Sequence, residues 1–150
     1  MAKDHPLFKK LESDINENKI ISDLQKKYDI NDLLSFNEFN ITEKLQNNAY
    51  LVEQFRLLCI SEKNKLQKIE NMINEETGKK YDHFKFVDNR DLSKVEIERY
   101  YLPKDEKLIR LKKLYQLQEI RVGFFDACCE AFKAQGWNIR NFLQNLSIGG

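Results

Sequence analysis

The chain has 150 residues, a third of them charged, with a formal net charge of +1. That length suits one domain, or one domain with an arm. The balanced charge argues against a protein that attracts polyanions with its whole surface, though it leaves room for local asymmetry. Five Gly and two Pro suit a helical protein with few tight turns. No apolar run approaches the ~18 residues of a membrane span. The opening Met1-Ala2-Lys3-Asp4-His5-Pro6 lacks the apolar stretch of a secretory signal. Three cysteines, two of them adjacent, make no disulfide framework and point to a reducing compartment.

Residues 1–40 are the least regular part. Leu7, Phe8, Leu11 and Ile15 can form one amphipathic piece, and Ile20, Ile21, Leu24 and Tyr28 another. Asn and Asp punctuate the tract, which reads as short helices separated by turns. Residues 3–38 hold six Lys against eight Asp/Glu, a slightly acidic arm. It is either a docking arm or a locally packed cap.

From residue 40 to 76 the spacing predicts a long helix. Asn40 or Thr42 can cap it, with Glu43 in the first turn. Leu45, Val52, Cys59, Leu66 and Ile73 recur every seven residues as one seam. The companion position holds Asn48, Phe55, Glu62, Ile69 and Glu76, a seam interrupted by polar residues. This pattern suits a helix lying against another helix rather than a strict zipper. Thr77-Gly78-Lys79-Lys80 then predicts its end, with Gly78 as the breaker. The same four residues do not make a phosphate-binding loop, which needs an earlier Gly, a Ser/Thr after the Lys and a preceding strand.

Residues 79–102 read as a linker. Tyr81, Phe84 and Phe86 alternate with polar neighbours, the pattern of a brief extended segment. Asp88 to Asp91 predicts a turn, and Ser93 caps a short helix through Tyr101. From Lys79 to Lys113 there are eleven Lys/Arg against seven Asp/Glu, the most basic tract of the chain, interleaved with Tyr81, Phe84, Phe86, Tyr100 and Tyr101. Cations that follow phosphates beside aromatics that stack bases are the chemistry of single-strand binding. Equally, such aromatics can pack onto their own domain and such lysines can line a solvated face.

A second long helix is predicted over Pro103–Gly136, about 33 residues or roughly 50 Å, followed by a coda, Trp137–Leu146. Pro103 stands at the first turn, acids at 105 and 106 face the positive end of the dipole, and Gly136 is placed to end it. Leu108, Leu111, Tyr115, Val122, Phe125, Cys129 and Phe132 form one stripe. Leu114, Leu117, Ile120, Phe124 and Cys128 form a second beside it, continued by Ala131. A face that wide needs two partners. One is the helix over 42–76, as an antiparallel hairpin. The second stripe is assigned to another copy of the chain.

Catalytic chemistry is not legible. His5 and His83 stand in no ligand spacing, and adjacent Cys128 and Cys129 point about 100° apart on a helix, which suits core filling. No nucleophile elbow or dinucleotide fingerprint is present. The reading is therefore a non-enzyme without metal or cofactor.

The segment Phe125 to Leu143, running through Ala131-Phe132-Lys133-Ala134-Gln135-Gly136-Trp137-Asn138-Ile139-Arg140-Asn141-Phe142, resembles the C-terminal signature of the UvsY family of phage recombination mediators. That signature is an apolar helix, a small or polar break, an aromatic, then Ile and a basic residue, closing near a terminal Gly. Thr77-Gly78-Lys79 is similar to the family's Ser/Thr-Gly-basic turn, and Thr42-Glu43-Lys44-Leu45-Gln46-Asn47 resembles its early Lys-Leu-Gln segment. The likeness covers residues 36–150, leaving 1–35 as an arm outside it.

The resemblance implies an all-α chain, a long antiparallel helical hairpin with shorter flanking helices, assembling into a hexameric or heptameric ring. It implies a cytoplasmic protein of the infected bacterium that serves DNA recombination, repair and replication. Such a protein binds single-stranded DNA and loads a RecA-like recombinase in place of the phage single-strand-binding protein. Lys79 and Arg140 occupy the family's basic positions. Glu75-Glu76 replaces the family's Tyr-Tyr, and Ile69-Glu70-Asn71-Met72 is not basic where the family is. The DNA surface is accordingly placed on Lys63, Lys65, Lys68, Lys79, Lys80 and Lys85, with Arg140. The alternative reading is a homo-oligomeric helical scaffold that binds only protein.

Overall fold

The computed structural model describes residues 16–88 and 90–149; the expected piece around Leu7, Phe8, Leu11 and Ile15 lies outside them. Every regular element described is helical. Helix α1 spans Glu17–Lys27, α2 Ile30–Leu34 and α3 Ile41–Asp82, which widens into a π-helical turn at His83–Val87. The short α4, Lys94–Glu96, runs into a second π-helical turn, Ile97–Tyr101, and a 3₁₀ turn, Leu102–Lys104. Helix α5 spans Glu106–Gly149. The two long helices, α3 and α5, pack antiparallel, as the hydrophobic spacing predicts.

The chain divides into two compact units, one built from Asn18–Lys63 and Ile120–Gly150, the other around Asn64–Glu119. The core of the first unit joins Phe55 and Cys59 of α3 to Phe124, Phe125, Cys128, Cys129 and Phe132 of α5, closed by Leu24 and Ile30. The rings interlock: Phe55 and Phe132 lie 4.8 Å apart between centroids, and Tyr28 meets Phe125 edge-on at 5.3 Å. Each fully buried aromatic of this kind is worth about 1.5–3 kcal/mol of transfer free energy. All three cysteines are free and buried, the core-filling role expected of the adjacent pair.

Burial also reverses the weight of the two α3 seams. Of Leu45, Val52, Cys59, Leu66 and Ile73, only Cys59 is fully buried. The interrupted companion seam is the deeper one, with Asn48, Phe55, Glu62 and Glu76 all buried. Its polar members are satisfied, which is what makes their burial tolerable. Asn48 Nδ2 donates to the Phe132 carbonyl at 2.7 Å, and Arg121 Nε reaches Glu62 Oε2 at 3.1 Å. In the second unit Lys107 Nζ meets Glu76 Oε2 at 3.0 Å.

Both glycine stops are corrected. Helix α3 passes through Gly78, where an added Cβ would meet nothing within 4 Å. Beyond it Tyr81 and Phe84 pack against a buried cluster of Leu92, Ile97, Leu102 and Leu108. That contact outweighs the ~1 kcal/mol a helical Gly costs. For the same reason the expected extended segment over 81–87 is helical instead. Gly136 lies mid-helix in α5, and among the described residues no Gly has positive φ. Its bareness makes room for the Asn48 amide, whose Cγ would stand 2.9 Å from an added Cβ. At the other end of α5 the cap is Asp105, whose Oδ1 accepts from Leu108 N at 3.0 Å; Pro103 belongs to the 3₁₀ turn before it.

The second stripe of α5 is corrected in part. Phe124 and Cys128, assigned to a contact between copies, are 6% and 5% exposed within this one chain. They share the cluster that α1 and α2 close, so the second partner of α5 at these positions is the chain's own N-terminal helices. Leu114, Leu117 and Ile120 are half-buried.

Candidate nucleic-acid interface

The second unit holds a cleft of about 850 Å³ where the end of α3, the second π turn, the 3₁₀ turn and the start of α5 meet. Four cations line it: Lys80, Lys104, Lys107 and Arg110. The aromatics Phe84, Tyr100 and Tyr101 line it too, and the carboxylates are Asp105 and Glu106. Both π-helical turns contribute a ring, Phe84 from His83–Val87 and the tyrosines from Ile97–Tyr101. Single π turns in otherwise α-helical chain are often found at functional sites because they re-aim side chains.

Half of the positive charge is committed internally. Lys80 Nζ lies 3.3 Å from Asp105 Oδ2, and Lys107 is held by the buried Glu76. Lys104 and Arg110 have no ion pair among the described residues. Arg110 Nε is buried without a hydrogen-bond partner, a donor left unsatisfied at a cost of about 1–3 kcal/mol.

The two tyrosines differ. The Tyr101 ring is engaged by Phe84 at 5.3 Å and by the Arg90 guanidinium at 4.6 Å, and Arg90 also donates to the Tyr101 hydroxyl at 3.2 Å. Arg90 is fixed in turn by Asp88, whose carboxyl its hydrogen bonds pull down to about pKa 2. The expected turn at 88–91 is thus an Asp–Arg clamp, with Arg90 N donating to Asp88 Oδ1 at 3.0 Å and Asp91 at φ 51°. Tyr100 makes no ring contact among the described residues and is 55% exposed. The expected Ser93 cap is present, its Oγ accepting from Glu96 N at 3.2 Å.

The residues assigned from sequence to DNA are only partly gathered here. Lys80 lines the cleft. Lys79 is exposed and pairs with Glu75 at 3.1 Å, and Lys85 donates to the Leu92 carbonyl at 3.3 Å. Lys65 and Lys68 are exposed on α3 in the same unit. Lys63 and Arg140 are exposed in the other unit. Residue-level reading missed Lys104, Lys107 and Arg110. Their spacing of three places them along one side of a helix start, a signal within the basic tract.

Among the described residues no group of three or more His, Cys, Asp or Glu could hold a metal ion, and no helix is long and apolar enough to cross a membrane. No protein-family model, curated protein or solved structure matches the chain.

Proposed function

We propose that this chain is a recombination mediator of the UvsY type. It binds single-stranded DNA and promotes loading of a RecA-like recombinase in place of the phage single-strand-binding protein, in the cytoplasm of the infected bacterium. The observation that carries the DNA-binding part is the cleft in which Lys104 and Arg110 stand beside Tyr100. Cations track a phosphate backbone, and exposed rings stack unpaired bases whatever their identity. The recombinase and single-strand-binding protein as partners rest on the resemblance of residues 36–150.

Assembly into a hexameric or heptameric ring belongs to the same reading. Tyr50, Leu57 and Ile60 are exposed large apolar side chains on α3, and the first two stand seven residues apart. That stripe is the apolar surface another copy would cover.

The test is oligomeric mass with and without a labelled single-stranded oligonucleotide, followed by affinity across salt. The expected result is an oligomer that binds at low salt and loses affinity steeply as salt rises. An oligomer with no affinity at low salt supports the protein-only scaffold instead.

A further inference from the structure

We infer that the cleft seats a single nucleotide of a single-stranded nucleic acid, with the base on the Tyr100 ring and the phosphate on Lys104 and Arg110. This rests on the DNA-binding reading and moves its principal contacts away from Lys63, Lys65, Lys68, Lys79 and Lys85. Lys79 and Lys85 are already bonded within the chain. In the cleft, Lys80 and Lys107 are likewise neutralised by Asp105 and Glu76. Lys104 and Arg110 remain as the lining cations without an ion pair among the described residues, against the single carboxylate of Glu106.

Three observations converge on a phosphate and a ring together. Arg110 lines the cleft with no ion pair among the described residues, and a guanidinium pairs with phosphate through two parallel N–H bonds. Tyr101 cannot receive a base freely, because Phe84 and Arg90 already engage it. Tyr100, its neighbour in the same π turn, presents an exposed ring. The volume of about 850 Å³ lies within the ~300–1,000 Å³ of small-ligand sites, enough for one nucleotide but not for a duplex. A ring that stacks on a base face needs that base unpaired, which selects single strands.

Asp105 does not oppose this. Its carboxylate is turned to the Leu108 amide and to Lys80, so its charge is spent on the helix cap and one ammonium.

The experiment measures binding of a fluorescent single-stranded oligonucleotide to the full chain and to Tyr100→Ala, Tyr100→Phe, Arg110→Gln, Lys104→Gln and Lys26→Gln, the last an exposed lysine of α1, each checked for helicity by circular dichroism. Tyr100→Ala is expected to weaken binding about tenfold, with Tyr100→Phe restoring it. Arg110→Gln and Lys104→Gln are each expected to lower the slope of log affinity against log salt by about 0.7, the value for one phosphate contact on a single strand. Lys26→Gln should leave both readouts near wild type. Photocrosslinking of an iodouracil-bearing oligonucleotide should map to Tyr100. Folded cleft variants with wild-type affinity and slope overturn the cleft while leaving the DNA-binding reading intact. A wild-type chain with no affinity at low salt overturns both. An acidic peptide that binds the cleft in a Tyr100-independent manner, with the oligonucleotide excluded, also overturns the inference.

Discussion

A Cβ at position 136 would run into the side-chain amide of Asn48, which is itself tied to the Phe132 carbonyl at 2.7 Å. Gly136→Ala is therefore expected to destabilise the chain by about 1–3 kcal/mol through overpacking, despite the better helix propensity of Ala. Adding Asn48→Ala should recover part of that loss, because the two side chains compete for one space; a denaturation double-mutant cycle reads the coupling. A second residue-scale expectation concerns the thiols. Burial pushes Cys128 up to about pKa 11. Its folded value lies above its unfolded one, so the thiol's contribution is complete below about pH 8.5 and is lost as pH rises through 11. Stability should fall over that window, and Cys128→Val should flatten the fall, as followed by denaturant midpoints. In the native chain Cys128 should resist alkylation at pH 8 until denaturant is added.

At the scale of elements, Gly78 is diagnostic. Because α3 passes through it into open space, Gly78→Ala is expected to stabilise by up to about 1 kcal/mol, read as a raised Tm. A glycine ending a helix at positive φ would give the opposite sign. The antiparallel pairing of α3 and α5 is legible from sequence because seven-residue spacing survives over many turns. What spacing alone does not reveal is which seam is deeper. Asn48 and Glu62 look like interruptions until their partners on α5 are known. Buried polar pairs of this sort fix one register, because any slip strands a charge. Arg121→Met is accordingly expected to cost roughly 1–3 kcal/mol, since it takes the guanidinium away from the buried Glu62 carboxylate, whereas the paired change Glu62→Leu with Arg121→Met should cost less. Chemical denaturation of the three variants checks both statements.

At the scale of the whole molecule, the wide apolar face of α5 is covered by more than α3 alone. At Phe124 and Cys128 the further cover is α1 and α2 of the same chain. Charge at Phe124 is thus expected to unfold the chain rather than dissociate copies. Leu57→Asp with Ile60→Asp, both on exposed positions, should lower oligomeric mass in sedimentation while leaving the circular dichroism of a helical protein.

The sequence by itself determined an all-α chain with two long antiparallel helices, a Ser93 cap, a turn at 88–91 and a basic, aromatic-rich tract between the helices. These follow from local periodicity, capping chemistry and charge, which act over a few residues. Only the tertiary structure decided where the helices stop, because a glycine ends a helix or lies within it according to what packs beyond it. It also decided which members of the basic tract converge. Lys104, Arg110 and Tyr100 face one cleft while Lys79 and Lys85 are bonded elsewhere, since ion pairing and ring contacts depend on neighbours brought close by folding.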